Sequence, residues 1–315
     1  MSRFAAVRLA SLVPILFGVS LLVFSMQHLV PGDIVDIVSA DVGQGDRNAA
    51  ARLRAELRLD RPIAEQYALW LRDALTGNLG TSFVSGKPVA GEILRRVPVN
   101  LELTALAMSF AILLGIPVGT LSAVRRGSWG DAGIRLAAVL GYSVPNFWIA
   151  TLTVLVGSLY LPKLPILQYV PFTEDPLRNL TLMAIPSFVL SLTVLPIIVR
   201  MTRTAVLENL RLDFVRTARA KGLPEGRVLF RHVLANSLIA VVNVMGVQIG
   251  VLIGGLVLTE EIFILPGLGR LLLESIQKRD FPVITGTTLF LATAFMTINF
   301  LVDLLHGVLD PRVRG

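Results

Sequence analysis

The stretch Leu238-Ile-Ala-Val-Val-Asn-Val-Met-Gly-Val-Gln-Ile-Gly-Val-Leu-Ile-Gly-Gly-Leu-Val-Leu-Thr259 runs for 22 residues without a charged side chain. At about 1.5 Å per residue, a helix of that length matches the roughly 30 Å hydrocarbon core of a bilayer. Working outward, five more apolar runs of similar length lie at roughly 9–30, 101–124, 136–160, 180–200 and 284–307. Only structures that satisfy their own backbone can cross lipid, so these runs predict an all-α polytopic membrane protein with six transmembrane helices. Composition agrees, with 54% hydrophobic and 16% charged residues, against about 45–50% and about 25% in a soluble domain. A mean hydropathy of +0.71 excludes a soluble enzyme, a disordered chain and a nucleic-acid-binding domain.

The first apolar run is longer than the 7–15 residues of a signal-peptide core, and no small-residue cleavage site follows it directly, so it reads as a retained helix. Pro14, Pro117, Pro145, Pro186 and Pro196 fall inside or at the edges of runs, where they serve as kinks or as boundaries. Sidedness follows from the basic loops. Between Arg200 and His232 eight basic residues face three acidic ones, which marks that loop as cytoplasmic. Arg3, Arg8, Arg125, Arg126, Arg312 and Arg314 then share its side, so both termini are expected in the cytoplasm. The organisation expected is an N-terminal helix at 1–30, an external segment at 31–99, a five-helix core at 100–309 with its cytoplasmic loop at about 204–235, and a tail at 310–315.

Within the external segment, Asp60 reads as a helix cap with Pro62 in the first turn. Ile63, Tyr67, Trp70, Leu71, Ala74 and Leu75 fall on one face before Gly77-Asn78. Residues 47–58 read as a shorter helix of the same kind. The pair either lies on the membrane or bundle, or forms a platform for an external partner.

Several chemistries are missing from the sequence. There is no G-x-x-x-x-G-K-[ST] phosphate loop and no G-x-S-x-G elbow. His28, His232 and His306 are far apart and no cysteine occurs, so neither a metal site nor a bound cofactor is expected. The charged residues of the spans, Glu102, Arg135 and Asp303, all lie near interfaces. An ion-coupled transporter needs a site near the midplane, and an intramembrane enzyme needs a nucleophile or a metal; both remain as rival readings. Asn146, Asn243 and Gln248 are polar residues within spans that either bond neighbouring helices or line a pathway. Gly246-x-x-x-Gly250-x-x-x-Gly254 stacks three glycines on one face for close helix approach, and Gly115-x-x-x-Gly119 repeats the device.

The basic loop has internal order. Asp213 is placed to cap a short helix through Phe214, Val215, Ala218 and Lys221, Gly222 to end it in the left-handed conformation, and Pro224 to start a second helix towards Leu234. An ordered, arginine-rich cytoplasmic element between two spans suits docking to a soluble partner.

These residues resemble the permease subunits of ABC importers, and among them the first permease of the oligopeptide/dipeptide group. Gly222 aligns on the glycine of the general signature E-A-A-x3-G-x9-I-x-L-P, of which only Ala218, Gly222 and Leu234 match. Asp213-Phe-Val-Arg-Thr-Ala-Arg-Ala-Lys-Gly-Leu223 is similar to the peptide-group version. The resemblance extends through Leu29-Val-Pro-Gly-Asp33, Gly77-Asn-Leu-Gly-Thr-Ser82, Arg126-Gly-Ser-Trp129, Pro266-Gly-Leu-Gly-Arg270, Arg279-Asp-Phe-Pro282 and Leu309-Asp-Pro-Arg-Val-Arg314.

It implies a type I importer fold in a bacterial inner membrane, surrounded by lipid. A second permease, which the family suggests is a different chain, completes the pathway. Two cytoplasmic ATPases bind ATP and Mg, and an external binding protein delivers substrate. Asp213, Phe214, Arg216, Thr217, Ala218, Arg219, Ala220, Lys221, Gly222 and Leu223 would form the ATPase-coupling loop. The group carries di- and oligopeptides, and relatives carry nickel complexes, glutathione and opines.

Overall fold

A computed structural model describes residues 2–29, 60–160 and 167–309, with side chains at 8–26, 60–160 and 167–304. The expected helix at 47–58, the motifs beginning at Leu29 and Leu309, and the tail lie wholly or partly outside the described residues. Among the described residues there is one isolated β-bridge, Thr81 to Pro88, and otherwise helix and turn. The helices are α1 (Ser2–Leu29), α2 (Ile63–Leu75), α3 (Val89–Val124), α4 (Trp129–Ser143), α5 (Asn146–Tyr160), α6 (Pro176–Ser191), α7 (Leu195–Asn209), α8 (Asp213–Ala220), α9 (Glu225–Ile262), α10 (Leu268–Gln277) and α11 (Phe281–Leu309).

Four helices, α1, α3, α9 and α11, are long and apolar enough to cross a bilayer alone. Two pairs meet the same criterion only together: α4 with α5, bent by 93°, and α6 with α7, bent by 62°. Counting each pair as one span gives six. The first bend falls at Val144-Pro145. Proline restricts the residue before it to extended backbone, and Val144 has ψ 126°. At the second, the amides of Leu192, Thr193 and Val194 turn to carbonyls three residues back, and Pro196 stands in the first turn of α7. Pro98 and Pro117 sit inside α3, and Pro186 inside α6, without ending either helix.

The chain divides into two compact units, Val97–Arg270 with Thr297–Gly315, and Ser2–Arg96 with Leu271–Met296. The larger has an apolar core in which Leu103, Ala107 and Ala111 of α3 pack with Met183 and Leu190 of α6, Ile198 of α7, and Val241, Leu252 and Leu256 of α9. Small residues let α3 and α7 approach closely: a Cβ on Gly115 would press on Ile198, and one on Gly119 on Val199 and Thr202. In the smaller unit α2 leans on α1. Tyr67 Oη and Ser20 Oγ are 2.7 Å apart, and Phe24 meets the rings of Tyr67 and Trp70 edge-on and tilted. Tyr67, Trp70, Leu71 and Ala74 are half-buried, whereas Ile63 and Leu75 are exposed. The cap differs from the sequence reading: Pro62 holds that position and Asp60 makes no cap. Also in this unit, Asp280 accepts hydrogen bonds from Ser82 Oγ and the Phe83 amide.

Candidate functional site

The loop singled out by its charge folds into a compact element within the larger unit. Helix α8 places Val215 and Ala218 inward at i, i+3 spacing. There they join Val206 of α7 and Val228 and Val233 of α9 in a separate small core, with Leu223 against it. The opposite face, with Phe214, Arg216, Thr217, Arg219, Ala220 and Lys221, is exposed. Asp213 differs from its expected role. It is the first helical residue, and Leu212 stands at the cap without a side-chain hydrogen bond. Asp213 instead pairs with Arg216 at 3.4 Å, and its carbonyl accepts from Thr217 Oγ1 at 3.0 Å.

The C-terminal turn of α8 is closed. The Gly222 amide donates to Arg219 O at 2.9 Å and the Leu223 amide to Ala218 O at 3.3 Å, with Gly222 at φ +74°. This is the paired-bond motif that satisfies a helix's last carbonyls, and its apolar partner is Leu223. Pro224 then caps α9 through the amides of Arg227 and Val228. Arg219 spans the turn and grips Glu225 with both arms of its guanidinium, at 2.7 and 3.1 Å; these bonds raise the pKa of Arg219 above its ordinary value. Residues Val228–Leu234 of α9 wind as a π-helix, a widened turn that recurs at functional positions.

A buried carboxylate secures the elements beside this loop. Asp131 accepts from Ser122 Oγ at 2.6 Å, from Arg203 at 2.9 and 3.0 Å, and from the Gly127 amide at 3.1 Å. It thereby ties α4 to the end of α3 and to α7. Ser128 caps α4 through the Asp131 amide, so Arg126-Gly-Ser-Trp129 is a turn and a cap.

A second buried carboxylate, Glu260, lies just beyond the apolar run that ends at Thr259. Asn100 Nδ2 donates to Glu260 Oε1 at 2.8 Å, and the Arg270 amide donates to Oε2 at 3.0 Å. Asn100 Oδ1 in turn accepts from the Leu268 amide at 2.9 Å. The carboxylate thus sits on the amides that open α10, where a helix favours negative charge. Gly267 leaves it room: a Cβ there would overlap the carboxylate. Pro266-Gly-Leu-Gly-Arg270 is the cradle for this side chain. Asn100, Ser122, Asp131 and Glu260 all escaped the sequence reading. Glu260 fell outside the assigned span, and its partner Asn100 lies 160 residues away.

The candidate pathway residues are not gathered at one place. Asn146 lines a cavity of about 180 Å³ with Tyr142, Pro145 and Thr193, where the two helix bends meet. Asn243 and Gln248 lie on α9, half-buried and buried, and do not line it. Of the packing glycines, Gly246 is buried where a Cβ would overlap Val302 of α11, and Gly250 is buried, but Gly254 is exposed beside open space. Among the described residues no group of three or more His, Asp or Glu is arranged to hold a metal ion.

Known proteins match this chain in sequence along its length. Residues 115–315 match the family model described as binding-protein-dependent transport system inner membrane component, and residues 1–104 match its N-terminal companion. A putative peptide transport system permease protein of Brucella abortus (strain 2308) is 42% identical, over 98% of this chain and 97% of its own. A dipeptide transport system permease protein of Escherichia coli (strain K12) is 40% identical, over 100% and 99%. A di/tripeptide transport system permease protein of Pseudomonas aeruginosa (strain UCBPP-PA14) is also 40% identical, over the same shares. A solved inward facing structure of the MetNI methionine ABC transporter has the same fold at 18% identity, with a TM-score of 0.53 over 69% of this chain and 96% of that one.

The chain belongs to the family of binding-protein-dependent transport system inner membrane components. It is a multi-pass, all-α transmembrane permease subunit of an ABC importer and not an enzyme, and hydrolysis of ATP falls to separate subunits. Family membership implies work alongside a second permease, ATPases and a binding protein.

Proposed function

We propose that this chain carries di- or oligopeptides as one of two different permeases, and that residues 213–223 form the coupling element seated in a cleft of one of the two cytoplasmic ATPases. The observation that carries this reading is the closed turn at Gly222. It holds α8 rigidly against α7 and α9 by its buried face, and leaves Phe214, Arg216, Arg219 and Lys221 outward. A push on that face is transmitted to two membrane-crossing elements through packed side chains. The full-length likeness to a dipeptide permease supports peptide as cargo.

In this reading both termini and α8 are cytoplasmic, and residues 31–99 form an external amphipathic segment. Residues 100–309 form the core and 310–315 the cytoplasmic tail. ATP and Mg are bound by the partner ATPases. Asn146, Asn243 and Gln248 line or support the pathway, and Gly246, Gly250 and Gly254 serve helix packing, Gly254 against a partner chain or lipid.

The test is substrate-stimulated ATPase activity of the complex reconstituted in vesicles. Arg219→Glu breaks the grip on Glu225 and reverses the exposed charge. We expect normal membrane abundance with either lost ATPase subunits or lost stimulation. Full stimulation in the variant would reduce the loop to a solvated charge run. A cysteine placed at Gly226 should resist an impermeant thiol reagent from outside; labelling there in sealed cells would reverse the topology.

A further inference from the structure

Two cavities in the larger unit adjoin, and they differ in chemistry. The first, at the helix bends, is neutral. Asn146 Oδ1 and Thr193 Oγ1 are buried there with no hydrogen-bond partner among the described residues, a state that costs free energy unless a ligand or water supplies the bond. At about 180 Å³ it is smaller than the 300–1,000 Å³ or so of a whole-ligand pocket, and suits one segment of a longer molecule. Tyr142 lines this cavity and also the next, which measures about 530 Å³ and lies between α4 and α7.

The larger cavity is cationic. Arg135, Arg200 and Arg203 line it, on apolar walls that include Ile134, Val139 and Ile197. The three guanidiniums are not equivalent. Arg203 is committed to Asp131 by two hydrogen bonds, and Arg135 stands 3.6 Å from the same carboxylate. Arg200 has no acidic partner among the described residues. One carboxylate among three arginines leaves an excess of positive charge facing the space.

Resting on the reading of the chain as a peptide permease, we propose that this cavity receives the C-terminal carboxylate of the peptide in transit. Arg200 is its principal donor, and Asn146 and Thr193 bond the peptide backbone behind it. A peptide always carries this group, and taking a carboxylate out of water is costly unless a cation meets it. Arginine suits the task because its planar fork bonds both carboxylate oxygens at once. Main-chain and terminal contacts of this kind ignore side chains, so they admit many sequences while refusing molecules without a free carboxylate.

The chain has no cysteine, which permits a direct test. Ser143 lines the cationic cavity. In the assembled complex, held in neutral phosphatidylcholine nanodiscs, Ser143→Cys is labelled with a thiol reagent and read on this chain by mass. Alanyl-alanine should slow labelling, and its C-terminal amide should not. Arg200→Gln should raise the concentration needed for half-protection about tenfold or more, the worth of a charge-assisted hydrogen bond, and Arg200→Lys should recover part of it.

Equal protection by acid and amide, or protection unchanged by Arg200→Gln, would overturn the assignment. Protection by added phosphatidylglycerol but not by dipeptide would also overturn it and make the cavity a lipid site. Uptake of alanyl-alanine and of penta-alanine by the wild-type complex with its binding protein is measured in parallel, and the peptide taken up is the one used, as acid and as amide, for protection. No uptake of either removes the peptide reading itself, whereas uptake without protection removes only this inference.

Discussion

At Gly222 an added Cβ would meet nothing within 4 Å, yet the residue lies at φ +74°; at Gly267 the backbone is not left-handed, yet a Cβ would overlap the carboxyl group of Glu260. One turn needs glycine for its conformation and the other for its space. The surroundings differ in the same sense. Around Gly222 the turn is exposed, and its charged pair, Arg219 with Glu225, is on the surface. Around Gly267 the hydrogen bonds to the carboxylate are inside, with Glu260 and Asn100 buried. An exposed turn keeps its polar groups hydrated, so it needs no enclosing donors. A carboxylate at the end of an apolar helix must instead be surrounded by donors that are already in place.

The largest effect is therefore expected from Gly267→Ala. The methyl group must displace a carboxylate held by Asn100 and the Arg270 amide, breaking buried hydrogen bonds as it crowds the site, at a cost of about 3 kcal/mol or more. Membrane abundance and complex yield should fall severely, with a lower Tm for whatever is purified. A variant that purifies normally would mean that Glu260 can swing aside, and that the cradle is looser than its distances imply.

Asn100→Asp comes next. It keeps the shape of the side chain but replaces the donor facing Glu260 with a second carboxyl group, while the Leu268 amide retains an acceptor. The expected loss is about 2 kcal/mol, seen as a lower Tm in detergent. No change would show that Asn100 only fills space.

How legible these features were in sequence depends on the range of the interaction. The six spans could be read because a run of 20 apolar residues is a local signal, but five prolines in or beside them read alike as kinks or boundaries, and nothing local singled out Pro145 and Pro196 as the bends. Gly222 could be read because a helix end, a left-handed residue and a following proline are neighbours in the chain. The cap at Asp213 was misread by one residue, since Leu212 takes that position and the helix begins without a side-chain cap. Glu260 was missed because its donors come from Asn100 and from the turn into α10. A charged residue one step past an apolar run reads as an ordinary boundary. Asp131 was hidden in the same way, its partner Arg203 lying 72 residues ahead.

The comparison sharpens with Gly222→Val. Nothing clashes there, so the only direct cost is that of holding a β-branched residue at positive φ, about 1 kcal/mol or somewhat more. Abundance and assembly of the spans should survive, in contrast with Gly267→Ala, while substrate stimulation of the ATPases falls because α8 no longer keeps its closed end. Loss of the protein from the membrane would show that the turn is needed for folding, as the cradle is.

The smallest effect is expected at Ile264, which joins the two kinds of turn. It follows α9 at φ +57°, in the left-handed region that costs a β-branched residue about 1–2 kcal/mol, and it leads the chain back to Glu260 through the Leu265 amide, 2.8 Å from Glu260 O. Its side chain is 47% exposed, so the apolar burial it contributes is only about 1 kcal/mol. Asparagine adopts this conformation readily and forfeits that burial, so Ile264→Asn should be neutral or stabilising by up to about 1 kcal/mol. Ile264→Val keeps the strain and loses a methyl group, and should destabilise by about 0.5 kcal/mol. The pair is measured by Tm on the purified complex, and the order matters more than the size. If asparagine lowers Tm further than valine does, the turn is held by the apolar contact of Ile264, and backbone conformation governs Gly222 but not the cradle.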